Sequence, residues 1–203
     1  MSKTQHNKNN PFYLDKGRAM ISLGSLNETQ HCAFQCAFCY VQDGFNLYSK
    51  LSIDEIILFL KNNRKQYNII YVSGDTDSFA KPRTEKALEL LYNITTEIDC
   101  DLLFTTRTTF SEKHYQVLEQ IADKQRQKKK MFYACVSITR YSDNCAYLEP
   151  TPIPTPEERI DTLKKLKDTM FTATIVEKRE LLKSTIERIV WDGENAHIFL
   201  LGE

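Results

Sequence analysis

The chain has 203 residues, and its 27 Lys plus Arg balance 27 Asp plus Glu. That length suits one domain with a sizeable core, and zero net charge supplies no global field to draw in nucleic acid or an anionic membrane. Hydrophobic residues make up 41% and charged residues 27%, a balance that excludes a disordered chain. No apolar run approaches the roughly 20 residues that span a bilayer. The segment from Met1 to Asn10 lacks the apolar stretch of a signal peptide. Residues 1–17 are read as a flexible N-terminal arm and residues 18–203 as one domain, with a cytoplasmic location expected.

In chain order, short apolar runs alternate with helix-like segments. Arg18 to Leu23 is a first strand. Ser52 to Asn63 is a helix, opened by a Ser52/Glu55 capping box, with Ile53, Ile56, Ile57 and Leu60 on one stripe. Asn68 to Val72 is a second strand. Thr84 to Ile98 is a helix with Leu88, Leu91 and Ile94 inward, and Asp101 to Thr106 is a third strand. Ser111 to Lys124 is a helix burying Val117, Leu118 and Ile121, followed by a fourth strand over Met131 to Ile138.

The next helix has Thr155 as its cap, Pro156 in the first position and Glu158 closing the box. Its expected buried stripe is Ile160, Leu163 and Leu166. Met170 to Val176 is a fifth strand. Leu181 to Trp191 reads as a helix stopped by Asp192-Gly193, and Ala196 to Leu201 is a sixth strand. Strands alternating with helices imply an α/β fold with a parallel sheet. An open doubly wound sheet and a curved partial barrel both fit, and either one places function at the carboxyl ends of the strands.

Six cysteines are present, and Cys32, Cys36 and Cys39 crowd into the loop after the first strand with C-x3-C-x2-C spacing. A disulfide framework spreads its cysteines through a small secreted chain, so the clustering points to metal. Three thiolates at this spacing can wrap one cubane iron–sulfur cluster and leave its fourth iron without a protein ligand. Phe34, Phe38 and Tyr40 would shield such a cluster. The competing reading is zinc, completed by His31, Cys100, Cys135 or Cys145, but no second C-x2-C knuckle follows.

C-x3-C-x-aromatic-C after a first strand resembles the signature of the radical S-adenosylmethionine (AdoMet) superfamily. The resemblance implies a partial (β/α)6 TIM-like barrel and a [4Fe–4S] cluster on Cys32, Cys36 and Cys39, whose open iron chelates AdoMet. It implies reductive cleavage of AdoMet to a 5′-deoxyadenosyl radical that abstracts hydrogen from a substrate. Ser73-Gly74-Asp75 takes the place of the family's Gly-Gly-Glu-like stretch and is expected to contact AdoMet, with Phe38 and Tyr40 packing near the cofactors. Ser137 and Thr139, beside Arg140, are expected to reach the ribose or carboxylate of AdoMet. The stretch Thr76-Asp77-Ser78-Phe79 and the run from Leu148-Glu149-Pro150 to Arg159 resemble the spore photoproduct lyase and photolyase-like branch. A reductant such as flavodoxin or ferredoxin is implied. The substrate, whether small molecule, peptide or nucleic acid, is left open, and the short chain admits a partner subunit that closes the pocket.

Several residues carry a bland reading beside a functional one. Cys145, just past the fourth strand, is a candidate hydrogen-atom donor or an inert thiol. Cys100 and Cys135 read as core or structural. Thr106, Arg107, Glu177 and Lys178 line the pocket or simply end their strands. The basic run Lys124, Arg126, Lys128, Lys129 and Lys130 reads as a solvated turn that complements a helix dipole, not as a nucleic-acid patch. His114 and His197 read as structural. A non-catalytic iron–sulfur or zinc-binding module stands as the alternative to an enzyme.

Overall fold

The computed structural model describes residues 12–22, 34, 36, 37, 39, 51–72, 76–138, 149, 153–170, 186–191 and 196–200. The chain divides into two units, Met1–Met170 and Phe171–Glu203. The first unit holds one sheet of five strands: β1 (Phe12–Asp15), β2 (Gly17–Ile21), β3 (Tyr67–Val72), β4 (Asp101–Thr106) and β5 (Phe132–Val136). β2 to β5 run parallel, and β1 pairs antiparallel at the edge. Its helices are α1 (Ile53–Asn62), α2 (Thr84–Glu97), α3 (Glu112–Gln127) and α4 (Pro156–Met170).

The strand order separates the two candidate architectures. A doubly wound sheet reverses its order at a switch point and carries helices on both faces. Here the order β1-β2-β3-β4-β5 never reverses. All four helices also bury residues in one core with alternate strand residues: Ile56, Leu91, Leu118 and Leu166 meet Ile21, Val72, Leu102 and Phe104. Helices on one face, wound in one sense, form a barrel wall. The fold is therefore α/β, with four parallel strands in one sheet, consistent with a partial TIM-like barrel.

Local chemistry fixes the helix starts. Ser52 Oγ accepts from the Glu55 N–H (3.2 Å) while Glu55 Oε2 accepts from the Ser52 N–H (2.7 Å). Thr155 and Glu158 repeat the pattern at α4 (3.2 and 2.7 Å). At α3 a histidine takes the glutamate's part, with His114 Nδ1 accepting from the Ser111 N–H (3.3 Å). His114 also meets Glu85 at 3.2 Å. Such caps contribute about 1 kcal/mol each.

The basic run is absorbed at the opposite end, where α2 and α3 finish. Lys128 Nζ donates to the carbonyls of Thr95 (2.6 Å), Thr96 (3.3 Å) and Ile98 (3.4 Å). It thus satisfies the carboxyl end of α2, the neighbouring helix. Lys124 lies over the Tyr92 ring, and Arg126 pairs with Asp123.

Several expectations change. Phe12–Asp15 belongs to the sheet and not to a flexible arm, because Lys16 (φ 47) and Gly17 (φ 77) form a tight left-handed turn between β1 and β2. On α4 the buried positions are Pro156, Arg159, Thr162 and Leu166, while Leu163 is exposed, because the inward stripe is rotated to bury Arg159. Cys135 is exposed on β5, not core. In the second unit, β6 (Ile186–Trp191) is a strand where a helix over Leu181 to Trp191 was expected, and it pairs antiparallel with β7 (Ala196–Leu200). The latter strand is therefore not a sixth parallel member of the sheet. Met170 ends α4, and the rest of the expected fifth strand, residues 171–176, lies outside the described residues.

Because Lys128 serves three carbonyls at the end of α2, Lys128→Met should lower stability by about 1–2 kcal/mol. The exposed Lys167→Met should change it by less than about 0.5 kcal/mol. Urea denaturation of both variants checks the contrast.

Candidate functional site

The carboxyl ends of β3, β4 and β5 are tied together by buried polar groups. After β3, the buried Asp77 carboxylate accepts from the Phe79 N–H (3.0 Å), the Thr106 hydroxyl (3.0 Å) and the Arg107 N–H (2.6 Å). Burial pushes its carboxyl above the ordinary value; the donors from Arg107, Phe79 and Thr106 pull the other way. Thr106 Oγ1 accepts in turn from the Thr108 N–H (2.9 Å), which fixes the turn after β4.

Arg107 therefore starts from a pinned backbone. Its Nη1 donates to Cys36 Sγ (3.6 Å), and its Nε lies 3.5 Å from Glu149 Oε1. Glu149 is held by Arg159 through two bonds, Nη1 to Oε1 (2.9 Å) and Nη2 to Oε2 (2.5 Å). Both side chains are almost wholly buried, at 0% and 1% exposure. Arg159 Nη1 also donates to the Ser137 carbonyl (2.9 Å), just past β5. The Ser137 N–H donates to the Thr106 carbonyl (2.9 Å).

The cysteine loop reaches this network through Cys36. Its N–H bonds the Phe34 carbonyl (2.9 Å) and its carbonyl accepts from the Cys39 N–H (3.1 Å), so Cys36 and Cys39 share one turn. Phe34, Cys36 and Ala80 are buried together, with Cys39 and Ile153 packed against them. Of the sequence-predicted site residues, the structure describes Cys36, Cys39 and Ser137. Cys32, Phe38, Tyr40, Ser73, Gly74, Asp75, Thr139 and Cys145 lie outside the described residues.

Cys100 is removed from the site. It precedes β4 and is buried at the opposite end from Arg107, roughly 20 Å away at the rise of a strand. Desolvation pushes its thiol up to about 11, which suits an inert core residue. It is therefore out of reach as a fourth zinc ligand beside Cys36.

The residues present fit an iron–sulfur ligand set. Two thiols sit in one turn, in an apolar shell, and a guanidinium donates to one of the sulfurs at 3.6 Å. Nearby, Thr76 Oγ1 and Thr108 Oγ1 are buried with no hydrogen-bond partner among the described residues, as suits a polar ligand at this end of the sheet. Among the described residues no three of His, Cys, Asp and Glu gather for a metal. No described helix is long and apolar enough to cross a membrane.

Sequence reasoning missed the Glu149–Arg159 pair. Its signal was an arginine at the i position of an i, i+3, i+7 set with Thr162 and Leu166. Removing one partner of a buried pair strands the other charge, so Glu149→Ala should cost about 3–5 kcal/mol. The double variant Glu149→Leu/Arg159→Met should recover much of that loss in guanidinium denaturation. A second outcome concerns pH. Because the Asp77 carboxyl lies above its unfolded value of 3.8, its contribution to stability is full below that value and is lost as pH rises through the raised value. Stability measured against pH should lose this component in Asp77→Asn.

The comparisons with known proteins agree with this geometry. Residues 26–196 match the family described as the radical SAM superfamily, a span that includes the cysteine loop, Asp77, Arg107, Glu149 and Arg159. No curated protein and no solved structure matches the chain. With most of its length matched and its cysteine turn set at the strand ends, the chain belongs to the radical SAM superfamily.

Proposed function

We propose that the protein is a radical AdoMet enzyme in which Cys32, Cys36 and Cys39 hold a [4Fe–4S] cluster. The observation that carries this reading is the Cys36 thiol, buried in an apolar shell with the Arg107 guanidinium 3.6 Å from its sulfur. When bound, the cluster and AdoMet supply one-electron reductive cleavage of a sulfonium and hydrogen abstraction from substrate. The chain's own residues do the rest. Phe34 and Ile153 exclude water from the thiols, and the turn over Cys36 and Cys39 presents two ligands together. Ser73, Gly74 and Asp75 follow β3 and would face AdoMet, as would Ser137 and Thr139 after β5. Phe38 and Tyr40 would complete the apolar wall, and Cys145 would serve as a hydrogen-atom donor.

The two stretches that resemble the spore photoproduct lyase branch supply Asp77 and Glu149. Both act as internal tethers, so that likeness speaks to the scaffold and not to the substrate. A small molecule, a peptide and a nucleic acid remain the substrate classes. Zero net charge weighs against the last, since phosphate binding draws on a basic surface. An external flavodoxin-like or ferredoxin-like reductant would supply the electron, and a partner subunit would close the pocket.

The test is anaerobic reconstitution with iron and sulfide, then AdoMet and dithionite, with 5′-deoxyadenosine quantified by chromatography. The wild type should bind about four irons, as the proposed cubane cluster requires, and release 5′-deoxyadenosine. The Cys32→Ala/Cys36→Ala/Cys39→Ala variant should do neither. A colourless protein that binds zinc and no iron would sink the proposal. A loaded cluster without 5′-deoxyadenosine, even with candidate substrates added, would favour a non-catalytic iron–sulfur module.

A further inference from the structure

We infer that Arg107 is a positioning residue that sets the reduction potential of the cluster, acting through the Cys36 sulfur; this rests on the function proposed above. Three contacts fix it. Its backbone N–H is bonded to Asp77 (2.6 Å), its Nε faces Glu149 (3.5 Å) and its Nη1 donates to Cys36 Sγ (3.6 Å). A long side chain is normally mobile; this one is only 22% exposed and held at both ends.

Stability of the buried pair does not require this arrangement. Arg159 already satisfies Glu149 with two bonds at 2.9 and 2.5 Å. Arg107 meets the same carboxylate at the longer distance of 3.5 Å. Of the two guanidinium groups on Glu149, the one with the looser carboxylate contact is the one directed at the sulfur. The shell of Phe34, Ala80 and Ile153 around that sulfur is apolar, so the charge is weakly screened there. Hydrogen bonds and charge at a ligating sulfur are the means by which a protein tunes a cluster.

The sign follows from electrostatics. Reduction adds one negative charge to the cluster, and a fixed cation at a ligand sulfur favours the reduced state. Arg107 therefore raises the potential and makes the electron easier to deliver.

The experiment compares wild type, Arg107→Met and Arg107→Lys after anaerobic loading. Iron and sulfide per chain are measured first, and the midpoint potential is then taken by electron paramagnetic resonance during redox titration, without AdoMet or substrate. Arg107→Met should load like the wild type and be about tenfold harder to reduce, which is about 59 mV lower for one electron. Arg107→Lys keeps the charge and should fall between the two. A loaded Arg107→Met cluster with the wild-type potential would overturn the inference while leaving the proposed function intact. Should Arg107→Met take up no iron, Arg107→Lys decides: a loaded cluster measurably harder to reduce than the wild type, but by less than tenfold, supports the role, and an unchanged potential or a shift of tenfold or more overturns it. A wild type that holds no iron defeats the proposed function and this inference together.

Discussion

The strand ends depend on one buried carboxylate. Glu149 has 1% side-chain exposure, and an unpaired carboxylate there would carry a desolvation penalty of several kcal/mol. The bidentate grip of Arg159 offsets that penalty, and the planar fork of arginine matches the two oxygens in a way lysine does not. Because Arg159 is on α4 and bonds the Ser137 carbonyl, the same grip fastens the helix to the end of β5. Because Glu149 also faces Arg107, it fastens both to the end of β4. Asp77 extends the chain of contacts to the segment after β3. Residues far apart in sequence thus become one rigid rim, and the Cys36 loop rests on it.

Rim and wall use different physics. The wall is held by apolar side chains such as Ile70, Leu91, Phe104 and Leu118, all fully buried and tolerant of similar shapes. The rim is held by directional bonds among ionised and hydroxyl groups, which fix position but are costly to leave half made. A barrel end must hold chemical groups to fractions of an ångström, so directional bonds belong at the rim.

How much of this was legible follows the same division. The capping boxes at Ser52 and Thr155, the stripe of α2 and the strands Tyr67–Val72 and Asp101–Thr106 obey local rules, and the chain shows them residue by residue. The cysteine spacing was equally plain. Arg159 was not, because binary patterning treats a charged residue as outward, and only the distant Glu149 turns it inward. The stripe of α4 was accordingly misplaced onto Leu163. β6 misled for a different reason. Ile186, Ile189 and Val190 fall at i, i+3, i+4, a helical spacing, yet the run is β-branched and ends at Asp192-Gly193, a pair that also marks hairpins. β1 was hidden by its turn, because Lys16-Gly17 is a weaker hairpin signal than Asn-Gly.

The two faces of the sheet point to where chemistry belongs. Residues directed at the helices, such as Ile21, Val72, Leu102 and Phe104, are sealed in the core. The alternate residues Met20, Tyr71, Leu103, Thr105 and Tyr133 are only half-buried, and Cys135 is exposed. The strand register sets Tyr71 beside Leu103 and Leu103 beside Tyr133, with Thr105 beside Cys135. Tyr71 and Thr105 share a hydrogen bond of 3.1 Å across two strands. A closed TIM barrel fills its interior with layers of Val, Ile and Leu. Hydroxyl and thiol groups in those places would be poorly satisfied in a packed core, so this face suits the wall of a ligand cavity. The rim of Arg107, Glu149 and Arg159 lies at the carboxyl end of the same strands. That face and the turn after β4 that carries Arg107 are set by one sheet, and Glu149 and Arg159 are joined to its end through Arg107 and the Ser137 carbonyl.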